Sequence, residues 1–441
     1  MSDHYQSKHS SSAAPAEKSR LPLMILAAVL CVCIIGAGVY ALLHFVVFAP
    51  SDETTANGST TPEADINTLP AAPPEPTLEP IPTANTPDTP PAADYAAAAA
   101  DLLRTMSTRD KICQMLIVTP ESLTGVDSVN IAGDTTRQAL EEYPVGGIIY
   151  NTANLESVEQ TIDLIAGTQS FSKLPLFIAV DEEGGNVARV AEKLGTTDFN
   201  PMYSYKDEGA GVAQDNARTI AADIKELGFN LDFAPVADVR TNPDNYVIGS
   251  RAYSDDYQQA AELVAAAIRG FTQGGVLCTL KHFPGHGGTT EDTHEGLAYV
   301  SADLDALKSG ELLPFKNGIE AGADMVMVGH LVVDAVDGEL PATLSPKVVP
   351  ELLRDYLGYD GVVITDGMTM DAITDNYDYD TIVKGIFDAD IDIILQPDDI
   401  DSYISAIENA LDSGTITSSQ LDRKVTRILT LKLQKGIIPT T

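Results

Sequence analysis

Basic residues are scarce in this chain. Lys and Arg total 27 against 64 Asp and Glu, and the 441 residues carry a formal net charge of -37. Such a surface would repel a phosphate backbone, so nucleic acid is excluded as a partner. It suits contact with water or with a charged extracellular matrix. Cysteine is scarce as well, with four in all. Cys31 and Cys33 lie in an apolar N-terminal run, Cys113 in an expected helix and Cys278 in an expected strand. The last two read as small core residues, a Cys113–Cys278 bridge being the alternative. No spacing matches a zinc site or a disulfide framework.

Only one long hydrophobic run is present. Residues 21–50 contain no charged side chain, and Leu23 to Phe48 is almost wholly apolar. That stretch exceeds the ~20 residues needed to cross a bilayer and is longer than a typical signal-peptide core. Leu30 precedes Cys31 and Val32 precedes Cys33, so no lipoprotein site is formed. Lys8, Lys18 and Arg20 lie before the run, and Asp52 and Glu53 after it. The positive-inside rule then places residues 1–20 in the cytoplasm and everything after the span outside. A signal peptide cleaved after Ala49 is the alternative, and it too exports the remainder. Residues 51–93 are rich in Pro, Thr and Ala with few large apolar side chains. They cannot bury a core and are expected to form an extended, disordered tether.

The pattern changes near Tyr95. Eight apolar runs of strand length are expected at Gln114–Val118, Gly146–Tyr150, Leu176–Val180, Asn230–Pro235, Val276–Leu280, Met325–Val328, Val362–Thr365 and Ile391–Leu395. Helices are expected between them, among others at Val158–Gln169, Ala213–Leu227, Asp256–Thr272, Leu304–Ala321, Pro346–Leu357 and Ser402–Leu411. Eight strands alternating with helices over residues 94–441 predict an α/β fold of the (β/α)8 TIM-barrel type. A doubly wound open sheet is the runner-up, but no Gly-x-Gly-x-x-Gly turn follows the first strand. Polar residues gather where the strands end: Asn151, Asp181, Asp238, Lys281 with His282, His330 and Asp366. In a barrel those ends converge on the active-site face.

The stretch from Lys281 to Leu297 holds three of the seven histidines. Its glycines and Pro284 force an irregular loop. Lys281-His-Phe-Pro-Gly-His286-Gly-Gly-Thr-Thr-Glu-Asp292-Thr-His294 resembles the signature of family 3 glycoside hydrolases of the β-N-acetylglucosaminidase type. Three further segments extend the resemblance. They are Asp181-Glu-Glu-Gly-Gly-Asn-Val, Val247-Ile-Gly-Ser-Arg251-Ala-Tyr-Ser and Val363-Ile-Thr-Asp366-Gly-Met-Thr-Met. Together they cover about Tyr95 to Ile438. Two positions depart from the family pattern: Asn186 stands where an Arg is usual, and Gly288 where an Asp is usual. Both leave Asp292, His294 and Asp366 in place.

The resemblance implies roles for individual residues. Asp366 is the nucleophile expected to attack the anomeric carbon. The usual second carboxylic acid is replaced by a dyad in which His294 acts as acid and base and Asp292 orients it. An imidazole titrates near neutrality, and a neighbouring carboxylate fixes its tautomer. Asp181, Arg251, Lys281 and His282 are expected to bind sugar hydroxyls, and His330 to line the pocket. His286 reads as structural, holding the Pro-Gly-His-Gly turn. Four have a plainer reading: a helix cap for Asp366, a solvated loop residue for His294, an ordinary salt-bridged residue for Lys281 and a surface residue for Arg251. His282 and His286 are four apart, but Pro284 and Gly285 between them exclude a helical metal pair, so no metal and no cofactor is expected.

The expected activity is that of a retaining exo-β-N-acetylglucosaminidase (β-N-acetylhexosaminidase). It would release terminal N-acetylglucosamine from peptidoglycan fragments or chitooligosaccharides. The alternatives are a phosphorylase or β-glucosidase of the same fold, and a non-catalytic wall-binding module. The expected protein is a monomer, held at the cell membrane by its N-terminal helix with the catalytic domain extracellular, or secreted if that segment is cleaved.

Overall fold

Eight short strands, each closed off from water on both faces, carry the fold. In a computed structural model of the chain, residues 92–440 are described, apart from residues 294 and 295. They lie within one compact unit, Asn85–Thr441. The expected cytoplasmic tail, the span at 21–50 and nearly all of the tether fall outside the described residues. Among the described residues no helix is long and apolar enough to cross a membrane.

The strands are β1 (Leu116–Val118), β2 (Gly147–Ile149), β3 (Phe177–Val180), β4 (Leu231–Asp232), β5 (Leu277–Phe283), β6 (Met325–Val328), β7 (Val362–Gly367) and β8 (Ile393–Leu395). They close in chain order into a parallel barrel, β8 returning to β1 through Leu116 opposite Ile394. Parallel strands with both faces covered read as continuous hydrophobic runs, which is why all eight were legible as such. Two were expected to stop too early. β5 continues through Lys281, His282 and Phe283, and β7 through Asp366 and Gly367. The polar residues therefore belong to the rigid barrel and not to the loops beyond it.

The helices are capped locally. Ser157, Asp256, Asp378, Asp399 and Thr417 each accept a backbone N–H at the start of the helix that follows, which satisfies an otherwise orphaned donor. One expected helix, Leu304–Ala321, is two: Leu304–Ser309 and Leu312–Glu320. The break falls at Gly310, where a Cβ would lie 2.8 Å from Tyr257 Cζ and 2.9 Å from the Ala306 carbonyl oxygen. That close approach stops the helix and turns Glu311 inward. The expected helix at Pro346–Leu357 is wound as a π-helix over Val348–Tyr356. It contains Pro350, which has no N–H to donate.

Helix Ala92–Thr105 begins inside the expected tether and packs on the C-terminal helix Ser418–Gln434. From that C-terminal helix the buried Lys432 donates to the Gly146 carbonyl at 2.8 Å, the Pro175 carbonyl at 2.9 Å and Gln114 Oε1 at 3.1 Å. One ammonium thereby ties together the approaches to the first three strands. Cys113 and Cys278 are free, buried thiols. The alternative of a bridge is thus overturned, and Cys278 faces the Asp324 carboxylate at 3.7 Å.

Two excursions shape the barrel mouth. After β3 the chain makes an antiparallel ribbon, Glu182–Gly184 with Val187–Ala188. After β5 it runs through the glycine-rich loop to the strand Ala298–Val300, which pairs in parallel with Leu331–Val333 from beyond β6. The loop carrying Asp292 is therefore fastened at both ends, to β5 and to this small sheet.

Candidate active site

At the mouth lies a cavity of about 430 Å³ whose lining includes Asn151, Asp181, Glu183, Arg189, Arg251, Lys281, His282, His286, Thr293, Asp366 and Gln396. Five of these, Asn151, Asp181, Lys281, His282 and Asp366, are strand-end residues singled out above.

One wall is an ion-pair array. Lys281 Nζ lies 2.8 Å from Asp181 Oδ1 and 2.7 Å from Glu183 Oε1. Arg251 grips Glu183 bidentately, Nε to Oε2 at 2.8 Å and Nη2 to Oε1 at 2.7 Å, and donates through Nη1 to the Val247 carbonyl. Burial works against the charge of Glu183, but Arg251 and Lys281 outweigh it and hold its pKa well below the usual carboxylate range. Burial likewise opposes the charge of Lys281, and Asp181 and Glu183 more than restore it. Glu183 and Lys281 are thus held as ions at neutral pH. Asp181 keeps part of its carboxylate toward the cavity, with Arg189 Nε 3.8 Å away. Glu183 was not singled out from the sequence. Its signal was present: in an extended segment, residues 181 and 183 share a face.

A second group orients the imidazole of His282. Asp238 is buried, accepts from the His282 and His286 backbone N–H groups, and lies 2.7 Å from His282 Nδ1. Its pKa would rise through burial, but His282 and the His286 N–H pull it below the ordinary value. That carboxylate selects which face of His282 is left for the cavity. The sequence placed Asp238 near a strand end but assigned it no role, because its partner lies 44 residues further on.

Opposite stands Asp366. Its carboxylate is partly exposed at the end of β7 and accepts from the Gly367 N–H at 2.8 Å. Burial raises its pKa, but His282, His330, the Gly367 N–H and Lys281 outweigh that and leave it below the ordinary Asp value. It is ionised across the neutral range and available as a nucleophile. Beside it Gln396 lines the cavity with a left-handed backbone, φ 48°. A non-glycine residue held there stores strain, which is commonest at functional sites. Nothing in the local sequence marks Gln396.

His330 does not line the cavity. It is completely buried, with Nδ1 2.7 Å from Thr343 Oγ1 and Nε2 3.0 Å from the Gly367 carbonyl oxygen. It braces the peptide that follows Asp366, and the expectation that it faces the substrate is corrected. The reason is register: Gly329, not His330, continues the line of β6.

Asp292 is described, partly exposed and bonded to its surroundings, whereas His294, expected to carry the proton, lies outside the described residues. The loop before them is tightly held. Asn245 Nδ2 donates to the His286 carbonyl at 2.8 Å, and Asn242 Nδ2 to the Thr289 carbonyl at 2.9 Å. Both family departures have a local account. Asn186 Nδ2 donates to Ser250 Oγ beside Arg251, keeping the two loops joined. At Gly288 the would-be Cβ lies 3.4 Å from Glu311 Oε1 and 3.1 Å from Thr241 Oγ1, so the Glu311 carboxyl stands against the face from which an Asp side chain would project.

Glu311 is buried, accepts from Thr241 Oγ1 and Tyr257 OH, and has its pKa pushed up to about 7, chiefly by burial and then by Asp238. Its folded pKa exceeds its unfolded one, so its contribution to stability is complete below the ordinary Glu value of 4.5 and is lost as pH rises toward about 7. Glu311→Gln cannot ionise. Relative to the parent, it should gain stability between pH 4.5 and pH 8 by up to about 3 kcal/mol. Urea unfolding at both pH values measures this, and an equal difference at both would show that the carboxyl does not titrate in that window.

A closed parallel barrel with carboxylates and cations converging on a polar cavity at its strand ends defines an enzyme of the TIM-barrel class. The chain belongs to glycosyl hydrolase family 3: residues 107–431 match the family described as "Glycosyl hydrolase family 3 N terminal domain". It is 36% identical over 324 residues to "Beta-hexosaminidase A" of Pseudoalteromonas piscicida, a match covering 67% of this chain and 54% of that protein. It is 32% identical over 382 residues to "Beta-hexosaminidase LpqI" of Mycobacterium tuberculosis, covering 84% of this chain and 92% of the relative. Among solved structures, a glycoside hydrolase family 3 beta-N-acetylglucosaminidase from Paenibacillus sp. str. FPU-7 superposes with a TM-score of 0.71 at 36% identity. That match covers 75% of this chain and 63% of the other. The chain thus spans little more than half of the first of these relatives and most of the second.

Proposed function

We propose that the protein is a retaining exo-β-N-acetylglucosaminidase. It removes terminal N-acetylglucosamine from peptidoglycan fragments or chitooligosaccharides. The observation that carries the reading is the ionised Asp366 carboxylate at the end of β7, facing a cavity walled by Asp181, Lys281, Arg251 and His282. The names of the relatives supply the N-acetylhexosamine.

In the first step Asp366 attacks the anomeric carbon. The C1–O bond to the aglycone breaks, and His294, oriented by Asp292, gives its proton to the departing oxygen. In the second step water loses a proton to His294 as it attacks C1, and the bond from C1 to the Asp366 oxygen breaks. Asp181, Arg251, Lys281 and His282 hold the sugar hydroxyls throughout. The apolar run at 21–50 and the tether at 51–93 anchor the enzyme on the outer side of the cell membrane.

The full chain, incubated with an aryl N-acetyl-β-glucosaminide with and without phosphate, should release free N-acetylglucosamine as the β-anomer in both buffers. Sugar-1-phosphate would make it a phosphorylase. Preference for the matching glucoside would make it a β-glucosidase, and no product from either would favour the wall-binding module. His294→Ala should lower kcat by roughly 10²–10⁴-fold on substrates with poor leaving groups and far less on activated aryl substrates. Equal losses on both would remove His294 as the proton donor.

A further inference from the structure

His286 was read from the sequence as a brace for its own turn, and its surroundings show that only half of the ring serves that purpose. Nδ1 lies 2.7 Å from Thr289 Oγ1. The Thr289 hydroxyl donates to the His286 carbonyl oxygen at 3.0 Å, which leaves its lone pairs for a proton on Nδ1. The other nitrogen, Nε2, is buried and has no hydrogen-bond partner among the described residues. Yet the ring lines the same cavity as Asp366, with the His282 ring edge-on at 6.2 Å. An orphaned buried polar atom is costly, and a turn needs no second ring nitrogen.

We propose that His286 is a substrate-binding residue whose Nε2 accepts a hydrogen bond from a hydroxyl or amide N–H of the sugar in this cavity. The inference deepens the proposed activity and rests on it for the identity of the sugar. Three features prepare the nitrogen for the task. The backbone is fixed, since the His286 N–H is held by Asp238 at 2.6 Å and its carbonyl by Asn245 at 2.8 Å. The tautomer is fixed by Thr289. The ring is kept neutral, because burial lowers its pKa and His282 adds to that, while Asp238 and Asp366 oppose it. A neutral ring that donates through Nδ1 is an acceptor at Nε2, complementary to the donating Lys281 and Arg251 elsewhere in the cavity wall.

The test pairs His286→Phe, which keeps a flat ring without nitrogen, with aryl N-acetyl-β-glucosaminides lacking one donor at a time. These are the 3-, 4- and 6-deoxy compounds and the N-methylated acetamide. For one of them the parent enzyme should lose about 10-fold in kcat/KM, the worth of a typical neutral hydrogen bond. His286→Phe should show that loss already with the complete substrate, and no further loss when the same donor is removed. Losses that multiply for every analogue would leave His286 a brace and overturn the proposal. His286→Gln, which can again present an acceptor, should recover part of the loss, and it replaces the Phe variant if that one does not fold. If the complete substrate is not turned over at all, the proposed activity fails separately. Calorimetric binding of N-acetylglucosamine then decides the role of His286: weaker binding to the variant supports it, and unchanged or absent binding overturns it.

Discussion

Asp366→Asn should cost about 10⁴-fold in kcat, the scale seen when a single member of a catalytic set is removed, while leaving the fold intact. The substitution preserves the shape of the side chain and its acceptance of the Gly367 N–H at 2.8 Å. What it removes is the negative charge that His282, His330 and Lys281 maintain against burial, and with it the proposed nucleophile. A brace or a helix cap would tolerate Asn with little change, so the size of the loss discriminates between the readings. Asp366→Ala carries the test further. It opens space where the carboxylate stood, and azide should attack the same face of an activated β-glycoside to give the α-glycosyl azide. That product identifies the face on which Asp366 works. Near-normal turnover by Asp366→Asn, or a β-azide from the Ala variant, would place the nucleophile elsewhere.

Glu183→Ala should be the most destabilising single change in the cavity wall. It leaves Arg251 and Lys281 with the Asp181 carboxylate alone, and removing one partner of a buried ion pair costs about 3–5 kcal/mol. Both cations point into the cavity from positions that Glu183 determines, so kcat/KM should fall by more than about 10²-fold. The folded pKa of Glu183 is depressed, so its stabilisation is present above the ordinary Glu pKa of 4.5 and is lost as pH falls below it. The variant should therefore unfold at lower urea than the parent at pH 7, and the gap should narrow in acid. A cycle with Arg251→Met provides the control: the double variant should recover part of the loss, because no guanidinium is then left unpaired. Strictly additive losses would mean that the two side chains do not act as a pair.

These results bear on how much of the protein could be read before its structure. The eight strands were legible because a parallel barrel buries both faces of each one, leaving uninterrupted apolar runs such as Met325–Val328. Lys281, His282 and Asp366 were legible because each interrupts or ends such a run. The break at Gly310 was not legible. It depends on the Tyr257 ring, more than 50 residues away, occupying the space a Cβ would need. Glu311, turned inward by that break, was hidden for the same reason. His330 illustrates the opposite error: placed correctly at the end of a strand, it turns to the Gly367 carbonyl and not to the cavity, since proximity to a strand end does not determine the direction of a side chain.

The sequence by itself determined the barrel, its strand order and the polar residues and loop that gather at its mouth. It could do so because burial periodicity and a long contiguous motif are local properties of the chain. Only the tertiary structure decided which charges are paired. Glu183 with Arg251 and Asp238 with His282 are contacts between residues brought together by barrel closure, and in a low-dielectric wall those contacts set each group's ionisation and direction.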